Sequence, residues 1–414
     1  MQFSLQVANR LVHKQLESAR ADVDDKARNF LCSPVSIYMA MNLLATGARG
    51  ATLKQLLDVV FQCKTLEDSF KSSVMEFMRR YREEDAAAAA GGSHGGGGDG
   101  SGGPIVSLSN GAWISDLFDI DASYVDFVKS VHDADVFFVD FKKANQVMEQ
   151  VNSWVSKATK DLIRSMPIIP DESMTCILAN AIYFKGIWAN KFKASSVKEN
   201  VFHLLTGDTI RTPFMNQAYK HYQCGSFENY KVIKLPYKVG SRTLTRSRSY
   251  EVSGRFYMYI FLPNDQDGLP NLMGNLNLDA SMLARVELRR TLVTKLSIPK
   301  FKFGSEHKDI KAIMQELGLT LPFTPRQSEL DGMITTPDAE MYVRDIIQKT
   351  FIEVNEEGTE AAAVTAMPAP IAAGPCFDRQ KIEFVADHPF LFVIGEETTR
   401  VMLFVGAVVS PLKE

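Results

Sequence analysis

Through the first part of the chain, apolar side chains return every three or four positions, the spacing that lines one face of a helix. The opening MQFSLQVANRLVHKQLESAR sets Val7, Leu11 and Val12 among polar residues and predicts an amphipathic helix. The same period predicts helices over 36–46, with Met39, Leu43 and Leu44 on one face, over 53–61, over 66–81 and over 144–163. In the last, Val147, Val151, Trp154, Val155, Ala158 and Leu162 make the stripe of a buried face. From residue 173 the period changes. Long β-branched and aromatic runs over 174–186, 254–263, 292–303 and 341–354 predict strands. Residues 389–409 form two almost wholly apolar runs around a polar turn, a hairpin buried on both faces. Helices first and strands later, with few βαβ alternations, predict an α+β architecture built on large sheets.

Two stretches break the pattern. DAAAAAGGSHGGGGDGSGGP, 85–104, has almost no side-chain surface to bury and much backbone entropy to lose, so it is expected to be a flexible Gly/Ala-rich insertion. KVGSRTLTRSRSYEVSGR, 238–255, carries Arg242, Arg246, Arg248 and Arg255 with only Tyr250 as an aromatic platform, and is expected to be a solvated connection rather than a nucleic-acid site.

Composition narrows the class. Hydrophobic residues make up 45% and charged ones 23%, values of a globular chain rather than a disordered one. The 46 basic and 49 acidic side chains give a net charge of -3, which supplies no electrostatic case for nucleic acid or an anionic membrane. Cys32, Cys63, Cys176, Cys224 and Cys376 are scattered without a CxxC pair, the usage of free thiols in a reducing compartment. The N-terminus lacks the apolar stretch of a signal peptide, and no run of 18 apolar residues occurs. The expectation is a soluble, cytoplasmic monomer, with release from the cell left open.

Candidate catalytic chemistry is sparse. The seven histidines show neither HExxH nor a Cys/His zinc spacing, and there is no GxxxxGK[ST] loop and no GxGxxG after a strand. GGSHG at 91–95 matches a nucleophile elbow but lacks the flanking strand and helix that the elbow needs. His388, in ADHPFLF beside Pro389, reads as a turn histidine before a catalytic base. No catalytic residue, metal or cofactor is expected.

A set of motifs spread over nearly the whole chain carries a stronger signal. NFLCSPVSIYMAMNLLATGARGATLKQLL (29–57), QVNSWV (150–155), LANAIYFKGIWANKF (178–192), TPFM (212–215), LPYK (235–238), IPKF (298–301), LGLTLPF (317–323), FIEVNEEGTEAAAVTA (351–366) and ADHPFLF (386–392) follow one another in the order and spacing of a serpin. The chain resembles that family, and VNEEGTEAAA and FVADHPFLF are most similar to the plant serpins. The resemblance implies a single domain over 1–414, with three β-sheets, about nine helices and an exposed reactive-centre loop at 355–383. It further implies a serine protease inhibitor that acts as a suicide substrate. The protease cleaves the loop, the loop inserts into the largest sheet as a new strand, and the trapped acyl-enzyme travels with it.

The loop residues can be read against that mechanism. An inserting strand buries alternate side chains, and Thr359, Ala361, Ala363 and Thr365 are all small and uncharged, while Glu360 and Ala362 fall on the outward parity. Gly358 is expected to free the backbone to turn. Without the family, EGTEAAAVTA fits an Ala-rich helix equally well.

Counting from Gly358 as inhibitory relatives do places the reactive bond at Ala372–Ala373, with Pro370 and Ile371 just before it. The stretch 359–372 would span about 46 Å as a strand at ~3.3 Å per residue. A small residue before the bond favours an elastase-like or chymotrypsin-like serine protease. A papain-like cysteine protease is a further possible partner by resemblance. Counting back from Phe384 instead puts the bond near Cys376. Pro368 and Pro370 fall within the portion that must insert and lack the N–H of a ladder bond. They motivate the alternative of a non-inhibitory serpin, a protease substrate or binding protein.

The resemblance also assigns a shutter controlling how the sheet opens, with Ser33, Ser36 and Asn180, and with Gln348 where relatives carry histidine. It assigns a breach where insertion begins, with Trp188 and a Lys300–Glu356 ion pair.

Overall fold

The computed structural model describes residues 1–21, 28–80, 104–166, 168–239, 256–276, 278–279, 281–337, 339–359 and 381–413. Most of the Gly/Ala insertion, most of the basic stretch and residues 360–380 of the loop lie outside these, as does the GGSHG match.

In chain order the strands are β1 (Phe30–Cys32), β2 (Ile105–Ser115), β3 (Ala134–Val139), β4 (Cys176–Ile187), β5 (Lys198–His203), β6 (Thr209–Gln217), β7 (Lys220–Ser226) and β8 (Tyr230–Pro236). They continue with β9 (Phe256–Pro263), β10 (Arg289–Pro299), β11 (Phe301–His307), β12 (Val343–Val354), β13 (Gly358–Thr359), β14 (Lys381–Val385), β15 (Phe390–Glu396) and β16 (Met402–Val408). Among the described residues they build two hydrogen-bonded sheets. One runs β11-β12-β13-β4-β2-β3, and the other β1-β16-β15-β9-β8-β7-β10-β6-β5 with β14 on β10. The second and third sheets expected from the resemblance are joined through β10, which pairs with β7 over Arg289–Val293 and with β6 over Leu296–Pro299.

The apolar C-terminal runs form the β15–β16 hairpin, buried along its whole length as their lack of alternation predicted. Packed beside them is the helix Pro34–Gly47, capped by Ser33, whose side chain accepts from the Ser36 N–H at 3.3 Å, and started by a proline whose missing N–H is no loss there. This helix is buried on nearly all sides.

Several predicted boundaries move. The 53–61 helix is α-helical over Gly50–Gln55 and π-helical over Leu56–Phe61, ending at Gln62 in the left-handed region. The 66–81 helix breaks after Ser69 and resumes at 73, where the Ser72 hydroxyl accepts from the Met75 N–H at 3.3 Å. The 144–163 helix stops at Ala158 because Lys160 and Asp161 turn to positive φ, which takes Leu162 off the stripe. The 292–303 run divides at Lys300 into strands of different sheets. Strands β2 and β3 were not predicted: in IVSLSNGAWIS the small polar residues dilute the apolar signal, although Asn110 is buried in the sheet.

Cys32, Cys63, Cys176 and Cys224 are free thiols. Burial pushes the Cys176 thiol up to about 12, so it is inert as a nucleophile. Cys376 lies outside the described residues. No described helix is long and apolar enough to cross a membrane.

Candidate functional site: a slot opening in the six-stranded sheet

Strands β12 and β4 are parallel neighbours from Val343–Cys176 to Thr350–Ile182. Above that point they part, and β13 lies between them. Thr359 stands opposite Val354 on one side and Gly186 on the other, and Gly358 stands opposite Ile187. The sheet is therefore closed below and wedged open by two residues above. At Gly358 the need for glycine is steric: a Cβ there would lie 2.0 Å from the Gly186 carbonyl oxygen. The freedom expected of this residue is used for close approach of two backbones.

The turn leading into β13 is built by Asn355. Its N–H donates to the Gly358 carbonyl at 2.9 Å, and its Oδ1 accepts from the Glu357 N–H at 3.0 Å, an Asx-type turn. Trp188 fixes this turn from β4's end. Its backbone N–H donates to the Glu357 carbonyl at 2.9 Å and its Nε1 to the Asn355 carbonyl at 2.9 Å. The indole stacks on Tyr237, with centroids 4.6 Å apart and planes 12° from parallel. Lys300 and Glu356 form their ion pair at 2.8 Å, and Lys191 pairs with Glu357 beside it. Partial burial disfavours the Glu356 carboxylate, but the Lys300 ammonium outweighs this and holds its pKa below the ordinary range.

Deeper in the sheet, Asn110, Asn180, Gln348 and His307 occupy one row across β2, β4, β12 and β11, each in register with the next. All four are buried. The start of the helix Pro34–Gly47 lies against this row. The Ser33 N–H donates to Gln348 Oε1 at 2.9 Å, and Gln348 Nε2 donates back to the Ser33 carbonyl at 3.0 Å. The Ser36 hydroxyl donates to Asn180 Oδ1, and Asn180 Nδ2 donates to Asn110 Oδ1 at 2.6 Å. One helix terminus thus ties β12 through Ser33 and β4 through Ser36. Separating the strands strains both ties.

His307 donates from Nε2 to the Leu31 carbonyl at 2.7 Å and packs on Phe30. Burial holds its pKa below the usual imidazole value, against the opposing pull of the Leu31 carbonyl and of Asp309 and Glu306. The sequence reading missed His307, Asn110, Asn355 and Tyr237. His307 and Tyr237 are invisible to a strand-by-strand reading because their partners come from other elements, whereas Asn355 before a glycine was a legible turn signal.

The structure brings Ser33, Ser36, Asn180 and Gln348 into one network, and Trp188, Lys300, Glu356, Gly358 and Thr359 into another. The remaining hinge positions Glu360, Ala361, Ala362 and Ala363, and the loop positions Pro370, Ile371, Ala372 and Ala373, lie outside the described residues. His388 is buried, with its ring nitrogens 2.8 Å from the Asp387 carboxylate and 2.9 Å from the Pro263 carbonyl, an anchor between strands. Among the described residues no three His, Cys, Asp or Glu side chains are placed to hold a metal.

Comparison with known proteins gives the family and the fold. The family described as Serpin (serine protease inhibitor) matches residues 2–411. Serpin-ZXA of Oryza sativa subsp. japonica is 38% identical over 394 residues, covering 93% of this chain and 91% of that protein. The native stressed conformation of Arabidopsis AtSerpin1 superposes with a TM-score of 0.76 at 32% identity, over 100% of this chain and 99% of the other. Thyroxine-binding globulin in complex with thyroxine, at 20% identity, a TM-score of 0.73 and 99% coverage of both chains, shows the shared fold alone. The chain belongs to the serpin family, whose members are mostly protease inhibitors rather than catalysts.

Proposed function

We propose that the protein inhibits a serine protease as a suicide substrate. In this reading the protease serine attacks the carbonyl carbon of Ala372, the Ala372–Ala373 bond breaks, the amine of Ala373 leaves, and an acyl ester remains. Insertion of the loop behind Thr359 then carries that ester away before water hydrolyses it. The observation that carries the reading is the slot itself, with Thr359 already seated between strands that pair directly with each other below it.

Extending the observed register down the slot supports the reading. Thr359 opposite Gly186 and Val354 sets Ala361 opposite Phe184 and Ile352, Ala363 opposite Ile182 and Thr350, and Thr365 opposite Asn180 and Gln348. Pro368 then falls opposite Ile177 and Asp345, and Ala369 opposite Cys176, where β4 begins. Pro370 lies past the end of that strand. On the β12 side the same register sets Pro370 opposite Val343, the first residue of that strand, so both prolines fall at the last rungs of insertion, where each forfeited ladder bond costs about 1 kcal/mol.

Incubation with elastase-like, chymotrypsin-like and trypsin-like proteases, read for an SDS-stable covalent complex, tests the proposal. Loop cleavage that leaves the protease fully active would overturn it. Mass spectrometry of the released C-terminal fragment locates the bond and separates Ala372 from the neighbourhood of Cys376. Pro368 favours the second reading, a non-inhibitory serpin, which requires that cleavage leave the thermal midpoint unchanged.

A further inference from the structure

The mechanism above accounts for the slot but not for what keeps the hinge at a depth of two residues. Thr359 is 1% exposed, and its hydroxyl shares a hydrogen bond at 2.6 Å with the hydroxyl of Tyr237, itself 2% exposed. Tyr237 follows β8 of the other sheet and reaches across to the slot. It is held there on every side. Its N–H donates to the Phe256 carbonyl at 3.0 Å, the adjacent Lys238 N–H donates to the Ile187 carbonyl at 2.7 Å, and the Ala189 N–H donates to the Pro236 carbonyl at 2.9 Å. Its ring stacks on Trp188 and meets Phe184 edge-on at 5.0 Å. A Cβ on Gly186 would lie 2.6 Å from the Tyr237 ring, so the backbone beside Thr359 is pared down to admit it.

We propose that Tyr237 is a positioning residue that latches the hinge, its hydroxyl holding Thr359 in the slot and setting the balance between a seated and an expelled loop. The proposal rests on the inhibitory reading for its biological use, but not for its physics. If Thr359 leaves, both hydroxyls lose their partner, and Tyr237's remains in a packed aromatic pocket where a replacement is not at hand. Loss of one buried hydrogen bond with an orphaned partner shifts such an equilibrium about five- to thirtyfold. Burial of the phenol pushes its pKa well above the ordinary value, so the latch keeps its proton throughout the physiological range.

The test uses Tyr237→Phe, Thr359→Val and the double variant, all nearly isosteric. A synthetic peptide with the sequence of residues 359–369 can take the slot only after Thr359 has left it. Its uptake is read as conversion to a heat-stable species on native gels. Each single variant is expected to take up the peptide roughly five- to thirtyfold faster than wild type. The double variant, with two apolar groups facing each other, is expected to return most of the way toward the wild-type rate. Single variants at the wild-type rate, a double variant faster than either, or no uptake by any form would each overturn the latch. Covalent complex formation by the wild type is scored separately. A protein that follows the predicted uptake pattern yet forms no complex keeps its latch and loses the inhibitory reading.

Discussion

Replacing Gln348 with leucine tests whether the helix terminus beneath the sheet governs its opening. The side chain is 1% exposed and makes two bonds to Ser33, accepting from its N–H at 2.9 Å and donating to its carbonyl at 3.0 Å. The Ser33 carbonyl keeps a second donor, the Ile37 N–H at 3.3 Å, but the Ser33 N–H is left buried without a partner. An orphaned buried N–H costs about 1–3 kcal/mol, and the added apolar burial of leucine offsets part of it, leaving a net loss of roughly 2 kcal/mol. For a chain of 414 residues, at about 2.1 cal/mol/K per residue, that lowers the melting midpoint by roughly 2 °C. The larger effect is kinetic. If the Gln348–Ser33 pair must break before β12 leaves β4, the variant starts with that part of the barrier removed. Spontaneous conversion of the uncleaved protein to a heat-stable form should then accelerate by about thirtyfold. Melting curves and timed native gels measure both. A lowered midpoint with an unchanged conversion rate would show that Gln348 is packing and not part of the gate.

Three further outcomes follow from the same geometry. Gly358→Ala places a carbon against the Gly186 carbonyl oxygen, so β13 should be forced out of the slot; in protease titrations on SDS gels the covalent complex should fall several-fold and the cleaved product rise. His307 is held neutral by burial, with a folded pKa below the ordinary value of about 6.5. The unfolded chain therefore binds the proton first, and stability is full above about pH 6.5 and declines as pH falls through the folded pKa. Thermal midpoints between pH 7.5 and 5 should drop more for wild type than for His307→Gln, which keeps a donor for the Leu31 carbonyl without the titration. Pro368→Ala and Pro370→Ala should each raise the yield of covalent complex per molecule cleaved, read as stoichiometry of inhibition; no change with either would refute the register.

What the sequence made legible was the part written in local periodicity. The β15–β16 hairpin announces itself because strands buried on both faces need apolar residues at nearly every position, as the run of β9 also shows. The small residues at alternate positions after Gly358 are equally local. The polar row was only half legible: Ser33, Ser36, Asn180 and Gln348 followed from the family pattern, whereas Asn110 and His307 became visible when register set them beside the other two. Tyr237 could not be found by periodicity, since its partner Thr359 is 122 positions away and belongs to another sheet. The helix breaks at 70–72 and 159–161 were hidden for another reason: side-chain caps from Ser72 and Thr159 compete with continued helix where the apolar pattern alone sees none.

The register also recasts the two prolines. Taken as a string, MPAPIAAGP sets a proline-rich bait after a segment of small residues, with both prolines in the portion that would have to insert. Placed on the sheet, the slot ends opposite Ala369 on one side, where β4 begins at Cys176, and opposite Pro370 on the other, where β12 begins at Val343. Pro368 and Pro370 would then cost their bonds only after Thr365 has come between Asn180 and Gln348. On the proposed mechanism the strands would by that stage be parted through the polar row, and the bonds gained by residues 359–367 would outnumber the two lost. A proline at the far end of a strand that zips from Thr359 downward acts on the last step of insertion and not on its nucleation. On the proposed mechanism, the race against hydrolysis of the acyl-enzyme would be decided at the top of the slot, by Gly358, Thr359 and the residues that hold them.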